Sequence, residues 1–380
     1  MQPALRRLQY LWPVRKSRLH NDAEESPFQG AGDTRDLRVI KGGTIMKNSA
    51  KWKPTLLVAG LALVLSVFAN DPAAAQKTKA ALLANHTVND AGFGQAGYLG
   101  ITAMKNGGFD TMLVENLKSP DLEATARDFA SRGYEIVFGH SFEFQAHFFK
   151  VAPDYPKTKF IVTKGAPKPT TPDNLLIIDI KEHQPAYVLG VLAAHLTKTK
   201  TVSAIAGFHY GTIIRIMEAF RDGVASVDPS IKVKIAYAGT WMDPVKGKEI
   251  ALAHIGEGAD VVYAHASVTS LGIIEAAKEK GVLAYGSVLD QNSIAPQTVV
   301  AGSIYDFPSM FLNVGKSVND GSFKGGSVSY GMAEGVVDVT PLYAAAKQLP
   351  ADVQDKIEKL RADIISGKFV VKEIRKRRDK

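Results

Sequence analysis

The amino-acid sequence predicts an α/β protein with two lobes, each built on a doubly wound parallel sheet. Apolar runs rich in Val and Ile alternate with segments of helical periodicity, a pattern typical of parallel strands covered by helices on both faces. The pattern occurs twice, before and after about residue 180. About 305 of the 380 residues follow residue 75, a length that suits two domains.

The predicted elements alternate along the chain, and no tandem repeat or low-complexity segment interrupts them after residue 76. Strands are predicted at residues 80–84, 111–115, 134–139, 159–163, 175–180, 201–206, 233–238, 261–265, 283–285, 299–304 and 328–330. Helices are predicted at residues 120–132, 184–196, 212–227, 244–256, 270–280 and 351–366, and further helices are expected to follow Phe93 and Ser141.

Residues 46–75 have the pattern of a secretory signal peptide. Lys47, Lys51 and Lys53 form a positive segment, residues 55–69 are uncharged and mostly apolar, and 73–75 is a small-residue cleavage site. The alternative is a membrane anchor, but the apolar run is shorter than the about 20 residues that span a bilayer. Residues 1–45 show no apolar period, so we expect them to be an upstream extension before the true start at Met46.

The net charge and the cysteine content narrow the function classes. Residues 1–75 carry 11 of the 46 basic and 6 of the 38 acidic side chains, which leaves the rest of the chain at +3. Residues 373–380 are expected to form a solvated basic tail rather than a nucleic-acid arm. The sequence contains no Cys, which excludes disulfides, thiolate metal sites, Cys nucleophiles and a lipid-bearing Cys after the signal. An exported chain without anchor or lipid is expected in the periplasm.

Nothing in the sequence indicates a catalytic centre, a metal site or a resident cofactor. The nine His residues are scattered without metal-binding spacing, and no companion residues support a Ser nucleophile. Gly92–Gly97 matches G-x-G-x-x-G, with Glu115 beyond it, so an NAD-dependent oxidoreductase is an alternative. That fingerprint should follow its strand directly, whereas residues 85–91 intervene.

The segment 239–251 is the most informative part of the chain. A buried strand leads into Trp241 and Asp243, and Pro244 opens the next helix, for which Asp243 suits the N-cap. Ligands of open α/β sheets bind at the carboxyl ends of the strands. Trp241 is therefore either a lid on the core or a stacking platform for a ligand.

Three further polar clusters follow predicted strands, in both lobes, at residues 85–93, 139–143 and 285–291. Each cluster also has an alternative role. Residues 85–93 could simply form a turn, and Ser141 could simply cap the next helix. His140 and His265 could be polar caps on the core. Strand ends that face each other form one cleft, so we expect these residues to surround a ligand. The candidates are Asn89, Asp90, Gly92, Phe93, His140, Ser141, Phe142, His265, Ser287 and Asp290.

Three motifs resemble those of the basic membrane protein family of ABC-transporter substrate-binding proteins. The family loop Asn-Asp-x-x-Phe-Asn-Gln is similar to residues 89–95, its Gly-Ser-Phe-Asp-Asp-Pro-x-Lys-Gly-Lys-Glu to residues 239–249, and its closing Tyr-Gly-Leu-x-x-Gly-x-Val to residues 330–337. The resemblance implies a type I periplasmic-binding-protein fold, with two Rossmann-like lobes joined by three crossovers near residues 180, 302 and 331. Lobe 1 would comprise 76–180 and 302–330, and lobe 2 would comprise 181–301 and 331–372.

The resemblance also implies a purine or purine-nucleoside ligand and an inner-membrane permease and ATPase as partners. Phe93 and Trp241 match the two aromatics that sandwich the base. Asn89 and Asp90 match polar ligand contacts, and Ser141 matches a segment that lines the first lobe. Gln95 belongs to the matching loop and Asp243 to the second motif, so both join the predicted site.

One departure from the family pattern bears on the ligand. Members that hold ribose have an Asp where this chain has Val288, and Gly94 replaces a second Asn. A ribose hydroxyl buried against Val288 would lack an acceptor, at a cost of about 1–3 kcal/mol. We therefore expect a free nucleobase such as adenine, with a purine nucleoside as the alternative. A ligand sensor for a membrane receptor is another alternative.

Overall fold

The computed structural model describes residues 77–378. The predicted extension 1–45 and signal peptide 46–75 lie outside the described residues, as do the last two residues of the tail. The strands are β1 (Lys79–Leu83), β2 (Asp110–Val114), β3 (Ile136–Gly139), β4 (Lys159–Val162), β5 (Leu175–Ile180), β6 (Thr201–Ala206), β7 (Lys232–Tyr237), β8 (Val261–His265), β9 (Leu283–Val288), β10 (Val299–Tyr305), β11 (Gly326–Tyr330) and β12 (Val337–Val339).

The helices alternate with these strands. They are α1 (Phe93–Asn106), α2 (Leu122–Ser131), α3 (Phe144–Val151), α4 (His183–Leu196), α5 (Gly211–Val227), α6 (Pro244–Gly256), α7 (Thr269–Lys280), α8 (Phe307–Asn319), α9 (Tyr343–Ala346) and α10 (Ala351–Ile365). Of the helices in residues 77–378, none has the length and apolar character needed to cross a membrane.

The strands form two six-stranded sheets, which confirms the predicted α/β fold with two Rossmann-like lobes. The first sheet has the order β11-β5-β4-β3-β1-β2, and the second has the order β12-β10-β9-β8-β6-β7. All pairings are parallel except that of β12, which runs antiparallel to β10. We call the part around the first sheet lobe 1 and the part around the second sheet lobe 2.

Helices cover both faces of each sheet, which explains the uninterrupted apolar strands. Every residue of β5 and of β8 is buried. In lobe 2, α4 and α5 pack backbone against backbone: a Cβ added to Gly190 would lie 2.1 Å from the carbonyl oxygen of Phe220. A Cβ added to Gly223 would lie 2.1 Å from the carbonyl oxygen of Tyr187. Glycine at these two positions permits the close approach.

The structure moves one predicted lobe boundary. We expected lobe 1 to resume at residue 302, but β10 stays in the second sheet as far as Tyr305. Its end pairs with β12, a three-residue antiparallel strand that the sequence pattern did not reveal. The chain crosses at Asp306, and α8 then packs on lobe 1, where the ring of Phe311 stacks on Phe138 at a centroid distance of 4.1 Å. The other two crossings follow β5 and β11.

The C-terminal residues 373–378 are largely exposed, as expected for a solvated tail, but two of them also make ion pairs with α5. Glu373 accepts a hydrogen bond of 3.1 Å from Arg215 of α5. Further along, the Arg378 guanidinium donates at 2.6 Å to Glu218, whose side chain is fully buried in α5. The segment supplies charged partners to buried groups, a role that its basic composition does not reveal.

Candidate ligand-binding site

A cavity of about 540 Å³ lies in the cleft between the lobes, at the carboxyl ends of strands from both sheets. Its volume is in the range of small-molecule sites. Lobe 1 contributes the loops after β1, β2, β3 and β4, and lobe 2 contributes the loops after β6, β7 and β8 and the last residues of β8 and β9. The sequence-predicted residues that line it are Asp90, Phe93, Ser141, Phe142, Trp241, His265 and Ser287.

Asp90 is buried and holds the start of α1. One carboxylate oxygen accepts hydrogen bonds from the backbone amides of Gly92 and Gln95, both at 2.9 Å, and the other accepts from Gly94 at 3.0 Å. These bonds satisfy amides that a helix start leaves unpaired. Asp90 therefore fixes the loop that carries Phe93, and both of its carboxylate oxygens take part in this cap. The geometry of this loop thus fits the alternative role of turn formation that the sequence analysis considered for residues 85–93.

The same bonds weigh against a dinucleotide at Gly92–Gly97. A dinucleotide phosphate would need the free amides at the start of α1. Three of the amides at the start of α1 are bonded to the Asp90 carboxylate, and its negative charge would repel a phosphate. The glycine spacing thus serves close packing: a Cβ at Gly97 would lie 2.5 Å from the His140 ring.

His140 packs against Phe93 and is not among the residues that line the cavity, which fits the alternative role of a polar cap on the core. The two rings stack with centroids 4.0 Å apart and an interplanar angle of 4°. The ring Nε2–H donates to the Phe93 carbonyl at 2.7 Å, and Nδ1 accepts from the Thr163 hydroxyl at 2.8 Å. Burial lowers the pKa of His140 well below its ordinary value, so the ring is neutral. Phe93 is thereby held rigidly with one face covered.

Trp241 lines the cavity from lobe 2 and also packs on the core. A Cβ at Gly207 would lie 2.1 Å from its indole ring, and the ring of Phe208 lies 5.4 Å away. Glycine after β6 thus makes room for the indole. Asp243 does not line the cavity, because its carboxylate accepts the backbone amide of Lys246 at 3.0 Å and caps α6. The N-cap expected from the sequence is therefore present, and Asp243 is not among the residues that line the cavity.

Four other predicted residues also lie outside the cavity lining. Asn89 is exposed, and Gln95 offers its backbone amide to the cap of α1. Gly92 is buried against lobe 2, where a Cβ would lie 3.2 Å from Ser267. Asp290 is exposed and its carboxylate bonds the Tyr343 hydroxyl. Gln95, Gly92 and Asp290 thus make contacts outside the cavity lining.

Several lining residues were missed by the sequence analysis. Among them are His86, Asn116, Lys164, Phe208, Tyr210 and Met242. Lys164 lies two residues after the end of β4, so the strand-end rule that selected the other clusters would also have found it. Across the cleft mouth, the rings of Phe142 and Tyr210 lie 5.7 Å apart. Aromatic side chains from both lobes therefore close around the cavity.

A direct hydrogen bond joins the lobes beside the cavity. The Gln291 side-chain amide donates to the carbonyl of Ala91 in lobe 1 at 2.8 Å. The oxygen of the same side chain accepts the backbone amide of Ser287 at 3.1 Å. Gln291 is buried, so this bond is shielded from water. It holds the two lobes together in the conformation described here.

Two residues of the lobe 2 wall, Val288 and His265, carry no charge. Val288 lines the cavity with a φ of 70°, in a left-handed region that a β-branched residue rarely adopts. His265 is buried, and burial lowers its pKa to about 4. The imidazole is therefore uncharged at neutral pH.

Among residues 77–378, no group of three or more His, Cys, Asp or Glu side chains is placed to hold a metal ion.

Comparison with known proteins agrees with this geometry. A family model described as "ABC transporter substrate-binding protein PnrA-like" matches residues 77–375. A purine-binding protein of Brucella abortus is 28% identical over 261 residues, covering 68% of this chain and 72% of that protein. The ABC transporter nucleoside-binding protein BmpA of Lactococcus lactis is 29% identical over 318 residues, covering 77% of this chain and 88% of that protein.

The solved structures include a solute-binding protein of an ABC transporter system from Aeropyrum pernix. It superposes with a TM-score of 0.69 at 23% identity, covering 78% of this chain and 94% of that one. This likeness concerns the fold. The family match covers nearly the whole two-lobed structure, including both walls of the cavity. The chain belongs to the Bmp family of PnrA-like ABC-transporter substrate-binding proteins, and it is a binding protein rather than an enzyme.

Proposed function

We propose that this protein captures a purine base in the cleft between its lobes and delivers it to an ABC importer. The observation that carries the proposal is that Phe93 of lobe 1 and Trp241 of lobe 2 line the same cavity. Flat aromatic faces stack on any purine, each stacking contributing about 1–3 kcal/mol. The names of the Brucella and Lactococcus relatives, which refer to purines and nucleosides, support this ligand class.

The apolar wall at Val288 favours a free base over its nucleoside. Val288 is buried at the cavity surface and offers no hydrogen-bond acceptor to a sugar hydroxyl. An apolar wall rejects a hydroxyl by at most about a hundredfold. Asp290 does not replace the missing acceptor, because it is exposed and bonded to Tyr343 outside the cavity. The expected preference for the base is therefore modest.

Calorimetry on residues 76–380 tests the ligand class. Adenine, hypoxanthine, guanine and their nucleosides are titrated into the wild type, Trp241→Ala and Phe323→Ala, the last a half-buried aromatic outside the cavity. We expect Trp241→Ala to weaken purine binding about 5- to 150-fold, which corresponds to the loss of one stacking face. Phe323→Ala should bind as the wild type does. Failure of every purine to bind the wild type would refute the proposal.

The Val288→Asp variant tests base against nucleoside. We expect it to narrow or invert the preference, since a carboxylate at this position accepts bonds from sugar hydroxyls. Equal affinity of the wild type for a base and its nucleoside would contradict the argument.

NAD is titrated into the wild type in the same way, because the oxidoreductase alternative requires NAD to bind.

The place of action is part of the proposal. Export would remove residues up to Ala75 and release the binding protein to the periplasm, where it would meet a permease and its ATPase. Mass spectrometry of a periplasmic extract should find a chain beginning at Gln76. A membrane-retained, uncleaved chain would contradict this and revive the anchor alternative. Finding permease and ATPase genes beside this gene would favour transport over the alternative of a ligand sensor, and their absence would favour the sensor.

A further inference from the structure

The cavity wall contains a buried ion pair that joins the two lobes. Lys164 follows β4 in lobe 1, and its ammonium lies 2.6 Å from a carboxylate oxygen of Glu182 at the first crossover. The side chain of Glu182 is 1% exposed and that of Lys164 is 16% exposed. Lys164 lines the cavity and Glu182 lies behind it. The pair thus presents its cationic member to the ligand.

The ammonium retains hydrogen-bonding capacity toward the cavity. Lys has three N–H donors and no acceptor. Among the described residues, Glu182 is the carboxylate within ion-pair distance of Lys164. Burial alone would raise the pKa of Glu182, but Lys164 and other nearby cations hold that pKa below its ordinary value. The carboxylate therefore stays charged and fixes the position of the ammonium.

The ammonium lies over the edge of the cavity where Phe93 is expected to stack on the base. Lys164 Nζ is 5.3 Å from the centroid of the Phe93 ring, over that ring, and the His140 ring stacks on Phe93 with centroids 4.0 Å apart. A base stacked near Phe93 would place its edge within reach of such a donor. The edge that faces Lys164 must then carry acceptors.

The chemistry of purine edges distinguishes the possible ligands. A 6-oxopurine presents O6 and N7 side by side as acceptors, which is the edge that Lys and Arg bind in nucleic acids. A 6-aminopurine presents N7 beside an amino donor, an edge suited to Asn or Gln. The ammonium has only donors, so it would find no hydrogen-bond acceptor at the 6-amino group of adenine.

We infer that Lys164 is a specificity-determining residue that donates to the O6/N7 edge, so that the cleft selects 6-oxopurines such as hypoxanthine and guanine over adenine. This inference rests on the proposed function. It replaces adenine, the example base expected from the sequence, with a base of opposite hydrogen-bonding character at position 6. Glu182 acts through Lys164 as a positioning residue and does not contact the ligand.

The test compares hypoxanthine with adenine by calorimetry on residues 76–380. Lys164→Met alone would leave the Glu182 carboxylate buried without its partner, which endangers folding. The main variant is therefore Lys164→Met with Glu182→Gln, which removes both charges together. Lys168→Met, an exposed lysine outside the cavity, is the matched control. Circular dichroism and melting curves establish that each variant is folded.

We expect the wild type to bind hypoxanthine about tenfold more tightly than adenine or better. The double variant should lose at least about tenfold for hypoxanthine and change little for adenine, while Lys168→Met keeps the wild-type ratio. Equal affinities in the wild type, or equal losses for both bases in the double variant, would overturn the inference and leave purine binding intact. If no purine binds the wild type, the proposed function and this inference fall together.

Discussion

The cap made by Asp90 yields a prediction that separates a structural role from a ligand contact. Asp90→Ala removes three charge-assisted hydrogen bonds of 2.9–3.0 Å and leaves three amides at the start of α1 without partners. Hydrogen bonds to charged groups contribute about 1.5–3 kcal/mol each, but the loop can relax and water can reach part of it. We expect a loss of about 3 kcal/mol. For about 300 residues that unfold together, the melting temperature falls by about 5 °C.

Asp306→Ala is the matched control for this measurement. Asp306 caps α8 through a single bond of 3.0 Å to the amide of Ser309, away from the cavity lining. A single N-cap contributes about 1 kcal/mol, or about 2 °C here. Calorimetric melting of ligand-free protein gives the comparison. If Asp90→Ala melts like the wild type but fails to bind purines, Asp90 is a ligand contact and the capping argument is wrong.

Three other expectations follow from buried polar groups. The pKa of His265 is about 4 in the folded state and about 6.5 in the unfolded state. Between pH 6.5 and pH 4 the unfolded state therefore binds more protons than the folded state. The free energy of unfolding falls as the pH drops through this window, by up to about 3 kcal/mol. Urea unfolding of the wild type and His265→Gln from pH 7 to pH 4 checks this, because the variant should lose that share of the pH dependence. Truncation after Lys372 should cost about 2–4 kcal/mol, since Glu218 is buried and loses a cationic partner. An unchanged melting temperature would show that the tail contributes nothing to stability. Gln291→Ala removes the hydrogen bond between the lobes and should weaken ligand binding about fivefold. Small-angle scattering of the ligand-bound variant should show a larger fraction of open molecules. An unaltered affinity would mean that the bond does not favour closure.

The fold was largely predictable because its signals are local. Strands β5, β6 and β8 have the bounds that the apolar runs predicted, since burial on both faces demands continuous apolar side chains. The start of α6 was also predicted, because Asp243 and Pro244 act within one turn of the helix. Strand β12 was missed because its three residues carry too short a pattern, and its pairing with β10 moved the second crossing.

The candidate site was predictable as a place and less so as a set of contacts. The strand-end rule brought Phe93, Trp241 and His265 to one cavity, since the carboxyl ends of parallel strands share one edge of a sheet. It did not show what each side chain does there. Asp243 and Asp90 were both predicted to contact the ligand, and the structure shows that the carboxylates of both cap helix starts, while only Asp90 also lines the cavity.

The sequence by itself determined the two lobes, the sheet edges at which the cavity lies and the aromatic residues at those edges. Only the tertiary structure decided which polar groups remain available there. Lys164 and Glu182 come from different lobes, and Arg378 reaches Glu218 across 160 residues of chain. Such pairs form because packing buries a charge and a distant segment supplies its partner, and no local pattern of residues records which segment that is.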